Sequence, residues 1–299
     1  MVIRIELKEV YMDMSEFEDA NRRIFKDKMI VQSIDGDTIS EKYCENPFKN
    51  SIYIRISQSR DLVSIKNIIF DHSYFSDCKL RKIHFENCSF VNCYFYDCDF
   101  SKSSFSNCDF RYSKFKDTLV DTDIFNSAPR ENNLLMKFSN NLRVNYRDLG
   151  DKSSEDISIQ YELKANEDHL YDSWISENAY YRKKYKGFER FKKLIEWLGF
   201  ELNKFIWGNG ESFIQLILSS IIIILLLGVV SSFIGEDFFN IEKLCSSIFF
   251  VFSYFIGSVD NSEIKDIIKS GSIRNLVVLV RTVFFGLFIS ILIKKYSRR

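Results

Sequence analysis

Five cysteines, Cys78, Cys88, Cys93, Cys98 and Cys108, fall in one short stretch and are the side chains best suited to soft-metal or disulfide chemistry. Cys78 and Cys98 are twenty residues apart, as are Cys88 and Cys108, so a chain that returned on itself every twenty residues would stack each pair at bonding range. The competing reading, and the favoured one, makes them small apolar fillers of a narrow interior. The start "MVIRIELKEV" is charged and has no apolar core segment, so no signal peptide is expected and the thiols read as reduced, in the cytosol. No Cys-x-x-Cys pair, HExxH or phosphate loop accompanies them, and His72, His84 and His169 stand in unrelated contexts. Glu167 and Asp168 read as solvated helix charges. No metal, no cofactor, no catalytic residue and no enzymatic activity are expected.

A second chemically pointed residue is Arg281, inside the apolar run "NLVVLVRTVFFGLFISILI". A charge inside a membrane span costs on the order of 3 kcal/mol near the centre and faces a partner or a water-filled path. On such a path it would oppose cations and favour anions. Alternatively it snorkels to the outer interface or pairs with Asp260, Glu263 or Asp266.

The cysteines are positioned by a repeat. A period of five gives Ile65, Phe70, Phe75, Leu80, Phe85, Phe90, Phe95, Phe100, Phe105, Phe110, Phe115, Val120 and Phe125, all apolar. Two residues before each stand Val63, Ile68, Ser73, Cys78, Ile83, Cys88, Cys93, Cys98, Ser103, Cys108, Ser113, Thr118 and Asp123, nearly all small or β-branched. Residues two apart on extended backbone point the same way, so the large and the small residue share one interior while the rest turn a corner. Four such sides make a square coil of twenty residues, stacked on the next at about 4.8 Å. The result is a solenoid whose open ends need caps. Asp123, an acid in an inward slot, is expected to mark the end of the last coil.

Residues 1 to 60 read as the N-terminal cap, with a helix in "SEFEDANRRIF" and a strand in "SIYIRIS". Residues 61 to 127 form the solenoid, and residues 128 to 210 a polar linker followed by helices. The stretch "ENNLLMKFSNNLRVNYRDLGDKSSED" reads as connector, and the pattern turns helical from Ile157. Within it Phe188, Phe191, Leu194, Ile195, Leu198 and Leu202 recur at helical spacing among basic residues, a pattern that packs on a core or lies at a membrane surface, and the sequence that follows favours the surface.

Residues 211 to 299 form a membrane domain. Ser212 to Gly235 carry no charge, and at about 1.5 Å per residue they exceed the hydrocarbon core of about 30 Å. Asn275 to Ile293 should span too. The basic stretches "YRKKYKGFERFKK" and "KKYSRR" put both termini and the solenoid in the cytoplasm by the positive-inside rule. Between the spans, Cys245 to Glu263 is too short to cross and return, which leaves an extracellular amphipathic turn, an interfacial aromatic segment or a re-entrant helix and loop.

The repeat resembles the pentapeptide-repeat family, which implies a right-handed quadrilateral β-helix with a large central residue in each unit. Some of its members resemble DNA in charge and bind topoisomerase. Here ten acids and eight bases intermix over residues 61 to 126, so DNA mimicry and nucleic-acid binding are not expected. Repeats, basic helical linker, glycine-bounded turn and span, loop, span together resemble bacterial repeat proteins carrying a two-helix potassium-channel-like domain. The turn Gly208, Asn209, Gly210, Glu211 stands where those proteins have Gly-Tyr-Gly-Glu, and Phe255, Ile256, Gly257, Ser258, Val259, Asp260 where they have Thr-x-Gly-Tyr/Phe-Gly-Asp. The resemblance implies an inner-membrane channel-like protein, a lipid-bilayer partner, self-association with four copies, and a cytosolic protein or small ligand on the solenoid. Val259 replaces the second filter glycine and Phe255 the threonine, so the implied pore has a degenerate filter without potassium selectivity. The alternative is a non-conducting scaffold tethered by the spans.

Overall fold

The computed structural model describes residues 23–26, 29–30, 34–35, 48–58, 63–176, 178–233, 241–258 and 271–297. The chain divides into two compact units, Met1–Asn166 and Glu167–Arg299. In the first, the strands are β1 (Arg23–Lys26), β2 (Met29–Ile30), β3 (Ile34–Asp35), β4 (Ser51–Ile54), β5 (Ser57–Gln58), β6 (Val63–Lys66), β7 (Tyr74–Ser76), β8 (Ile83–Glu86), β9 (Tyr94–Tyr96), β10 (Ser104–Ser106) and β11 (Lys114–Lys116).

Among the described residues all the strand pairing is parallel. One side of the solenoid is the ladder β1-β4-β7-β9-β11 and the opposite side is β3-β6-β8-β10. Single bridges, Ile69↔Ser89↔Asp109 and Lys79↔Asp99↔Leu119, close the other two sides. Phe75 faces Phe95 and Phe95 faces Phe115, an advance of twenty residues per turn. The thirteen large apolar positions are all buried, and rings one turn apart stack at centroid distances of 5.0 Å for Phe70–Phe90 and Phe90–Phe110 and 5.2 Å for Phe85–Phe105. Full burial of a phenylalanine contributes about 1.5–3 kcal/mol, so this column is the main stabilising element of the unit.

Each corner is turned by one residue in the left-handed region, at every fifth position from Asn67 (φ 53°) to Asp117 (φ 51°). That conformation costs about 1–2 kcal/mol for most residues and less for Asn and Asp, which explains their frequency there. From Asn67 to Asp97 each turned N–H donates to a carbonyl of the next coil, as Asn67 N does to Glu86 O at 3.0 Å and Asn92 N to Arg111 O at 2.9 Å. Asn67, Asn87 and Asn107 add a side-chain ladder, with Asn107 Nδ2 donating to Asn87 Oδ1 at 2.7 Å.

Several sequence expectations change. Ser51–Ile54 is a rung rather than a cap: Tyr53 sits opposite Phe75 and stacks on it at 4.5 Å, with Phe25 on its other side at 5.1 Å. Within the helix expected from Ser15 to Phe25, Arg23–Phe25 belong to strand β1, because their backbone completes the ladder edge beyond β4; the earlier residues lie outside the described ones. Asp123 does not occupy an inward slot. The chain leaves the coil in a 3-10 turn, Thr122–Ser127, which exposes Asp123 and buries Ile124 and Phe125.

The expected connector is a cap. Helix α1 (Asn132–Asp148) lays Phe138, Leu142 and Tyr146 against the last coil. Asn141 Oδ1 accepts from Phe115 N at 2.7 Å and Asn145 Oδ1 from Thr118 N at 2.9 Å, while Asn145 Nδ2 donates to Thr118 O at 2.8 Å. These amides satisfy the strand edge that a solenoid would otherwise leave open. Helix α2 (Lys152–Ile175) begins in this unit, where Glu162 pairs with Arg143 at 2.8 Å and Tyr161 stacks on Phe125 at 4.2 Å.

The second unit continues from α2 into α3 (Ala179–Lys184), α4 (Phe188–Trp207), α5 (Phe213–Phe233), α6 (Ile241–Ile256) and α7 (Gly271–Ser297). Trp197 of α4 packs on Trp174 of α2 at 5.4 Å, and Lys204 pairs with Glu167 at 2.6 Å.

Candidate functional site

Helices α5 and α7 are long and apolar enough to cross a membrane, over Phe213–Phe233 and Ile273–Tyr296. Most of their large side chains face outward, among them Ile214, Leu226, Phe285 and Ile293. Between them packs α6, whose sixteen residues span about 24 Å at 1.5 Å each, short of a full crossing. Gly228 lets α5 and α6 meet backbone to backbone: a Cβ there would lie 2.8 Å from Ile248 Cα. Ile224, Phe250, Val251, Ile273 and Val277 form one cluster of the bundle; Leu216, Phe284 and Ile291 form another, joined by Ile206 and Trp207.

The turn into α5 is built as the glycines suggest. Gly208 (φ 60°) ends α4, and a Cβ on it would meet Ser212 Cβ at 2.9 Å. Gly210 is buried beside Trp207 and Lys294, and Glu211 pairs with Lys294, so the beginning of α5 is tied to the end of α7.

Within the bundle, Phe255 and Ile256 are the last helical residues of α6, where the alignment with a filter loop requires extended chain. Gly257 (φ 88°) then stops the helix: its N–H bonds Tyr254 O at 3.2 Å and the Ser258 N–H bonds Ser253 O at 3.0 Å, the two crossed bonds of a glycine C-cap. The physical reason is local, since the last carbonyls of a helix need donors and only glycine enters the left-handed region freely. Val259 and Asp260, and the proposed partners Glu263 and Asp266, lie outside the described residues. Arg281 crosses from α7 to this cap, with Nη1 at 2.8 Å from where a Gly257 Cβ would stand. A cation at a helix C-terminus meets the negative end of the helix dipole. The same guanidinium lines an open groove of about 620 Å³ together with Leu216, Ile217, Ser220, Phe255, Phe284 and Phe288.

In the solenoid, the Ser, Cys and Thr residues that stand two before a large one make a bond that the sequence reading missed. Cys93 Sγ donates to Phe70 O at 3.2 Å, Ser103 Oγ to Leu80 O at 2.6 Å, Ser113 Oγ to Phe90 O at 2.6 Å and Thr118 Oγ1 to Phe95 O at 3.2 Å. The cysteines are thus short donors as well as fillers, interchangeable in role with serine. The recurrence of Ser and Cys at one register was the available signal. Cys78 contacts Cys98 and Cys88 contacts Cys108 one coil apart. Burial pushes the Cys93 and Cys98 thiols far up, and the neighbouring Cys88 thiol with burial does the same to Cys108. Among the described residues no three His, Cys, Asp or Glu side chains are grouped to hold a metal ion. An apolar cavity of about 140 Å³ in the first turns is lined by Phe25, Phe48, Tyr53, Ile65, Phe75 and Phe85.

Residues 73–111 match the family model of pentapeptide repeats, in 8 copies. The pentapeptide-repeat solenoid therefore includes the matched coils, and Ser51–Ile54 and Lys114–Lys116 extend the same ladder on either side. No curated protein matches the chain.

Proposed function

We propose that the second unit is a membrane domain in which α5 and α7 span the bilayer, α6 enters it part-way, and symmetric copies, four in number, line an ion path. The observation that carries this reading is the packing of a helix too short to cross between two helices long enough to do so, with its capped end against Arg281, the one charge within the apolar run Asn275 to Ile293 of α7. In this arrangement the basic stretches before α5 and at the C-terminal end of α7 remain on the cytoplasmic side, in the inner membrane, with the pentapeptide-repeat solenoid in the cytosol as a docking surface for a protein or small ligand. No catalytic step is part of the proposal.

Arg281 sets the expected selectivity. A guanidinium at the end of α6 repels cations from the place where a cation path would narrow. The path is therefore non-selective or anion-preferring, with a degenerate filter.

The glycine cap favours a second reading, in which the spans only tether a non-conducting scaffold, because Phe255 and Ile256 keep helical backbone. Reconstitution in a planar bilayer under a KCl gradient separates the two. Current that reverses on the anion side, and shifts towards cations in Arg281→Leu, is the expected result. A silent bilayer with a monomer in detergent overturns the pore, since one chain with two spans cannot enclose a path.

A further inference from the structure

Helix α4 presents its apolar side outward. Phe188 is 79% exposed, Phe191 55%, Ile195 54%, Leu198 52%, Leu202 59% and Phe205 47%. Their spacing alternates three and four, so they form one continuous stripe along the helix. The face that holds α4 in the fold is a different one, where Trp197 meets Trp174, Lys204 meets Glu167 and Arg190 Nε donates to Trp174 O.

Two observations identify what covers the stripe. The segment Arg182 to Lys193 holds seven basic residues against one acid, Glu189, and Lys183, Lys186 and Lys192 are exposed. The far end of the stripe runs through Gly208–Gly210 directly into α5, and Ile206 and Trp207 already pack with Leu216 of α5 and Phe284 of α7. A second copy of α4 fits less well. With the stripe as the seam of a coiled pair, the flanking positions are Lys192, Leu194, Gly199, Glu201 and Ile206, which supply no opposed charges at the spacing that joins two such helices.

We propose that α4 lies along the surface of an anionic membrane leaflet, with its apolar stripe among the upper acyl chains and Lys183, Lys186 and Lys192 against lipid phosphates. Such a helix settles about 5–10 Å into the headgroup boundary, and each lysine adds attraction to anionic lipid. The inference rests on the reading that α5 and α7 span the bilayer, and gives that membrane domain a lipid-sensing element at its entrance.

The test uses the full chain with Cys44 and Cys245 changed to Ser, reconstituted in vesicles of phosphatidylcholine alone or with phosphatidylglycerol. An environment-sensitive fluorophore is placed in turn at Leu198→Cys, at Glu189→Cys on another face of α4, and at Ile222→Cys within α5. The expected result is quenching of the Leu198→Cys label by shallow nitroxide lipids, stronger in anionic vesicles. The Glu189→Cys label should respond to aqueous iodide, and Lys183, Lys186 and Lys192 changed together to Gln should erase the difference between the two lipids. Iodide quenching at Leu198→Cys, with lipid quenching retained at Ile222→Cys, overturns the proposal alone. Equal lipid quenching in both vesicles overturns its anionic part, and cross-linking of Leu198→Cys between chains replaces the lipid by a second copy. Iodide quenching at Ile222→Cys overturns the membrane reading and this inference together.

Discussion

Arg281 and Gly257 meet across two helices: the Nη1 atom lies 2.8 Å from the place where a side chain at 257 would begin. Gly257→Ala therefore meets two obstacles, a positive φ and a guanidinium. The variant should lose about 1–2 kcal/mol from the left-handed backbone alone. Arg281→Ala should relieve the crowding and not the backbone strain, so a double-mutant cycle by thermal unfolding in detergent should show coupling. Additive effects would mean that Arg281 does not hold this position.

Close packing of α5 on α6 gives a comparison of two glycines. A Cβ at Gly228 would stand 2.6 Å from Ile248 Cγ1, whereas a Cβ at Gly286 meets nothing within 4 Å. Gly228→Ala should destabilise the bundle by about 1–3 kcal/mol, as overpacking does, while Gly286→Ala should be neutral or slightly stabilising. Melting temperatures in one detergent would check both.

The cap on the solenoid depends on two amides. Asn145→Ala leaves the backbone N–H and C=O of Thr118 without partners in a buried place, at about 1–3 kcal/mol each. Asn141→Ala, at a less buried site, should cost less. Urea unfolding followed by the loss of β-structure measures the order, and the exposed strand edge of Asn145→Ala should also raise self-association.

The thiols should divide by burial. Cys78, Cys88, Cys93, Cys98 and Cys108 are buried and Cys245 is exposed. A thiol reagent at pH 8 should modify Cys245 rapidly in the folded chain and the five interior thiols only on unfolding. Cys93→Ser, which keeps a donor for Phe70 O, should be less destabilising than Cys93→Val, which fills the slot and loses the bond.

His169 carries a pH dependence. Burial, followed by the charges of Lys184 and Lys193, lowers its pKa below the ordinary value of 6.5. The folded state then binds fewer protons than the unfolded one, so the stability this neutral ring contributes is present above the unfolded pKa and is lost as pH falls through it. The contact of His169 with Tyr181 Oη should loosen between pH 7 and pH 5, and His169→Gln should remove that dependence. Hydrogen exchange in α3 reports it, and an unchanged pH profile in the variant would assign the effect elsewhere.

The inward columns from Ile65 to Phe125, the corners at every fifth residue and the two long apolar runs were legible in the sequence. In each case the physics is local and periodic: one position always meets the same surroundings, so composition at that register reports them. The ends of the solenoid were not legible in this way. Asn141 and Asn145 look like polar linker residues until α1 is placed against β11, and only then do their amides become a strand partner. Tyr53 belongs to the ladder through an advance of twenty-two residues, which a strict period of five does not follow. Gly257 was read as part of a filter because short motifs do not state whether the residues before them are helical or extended. Its role as a helix cap beside Arg281, twenty-four residues further on, was decided by which helices pack together, a long-range choice that no local spacing encodes. The sequence by itself determined the period, the apolar lengths and the charge distribution. Tertiary packing decided where the coils stop, what closes them and which side of α4 remains uncovered, because each of those depends on a partner distant in the chain.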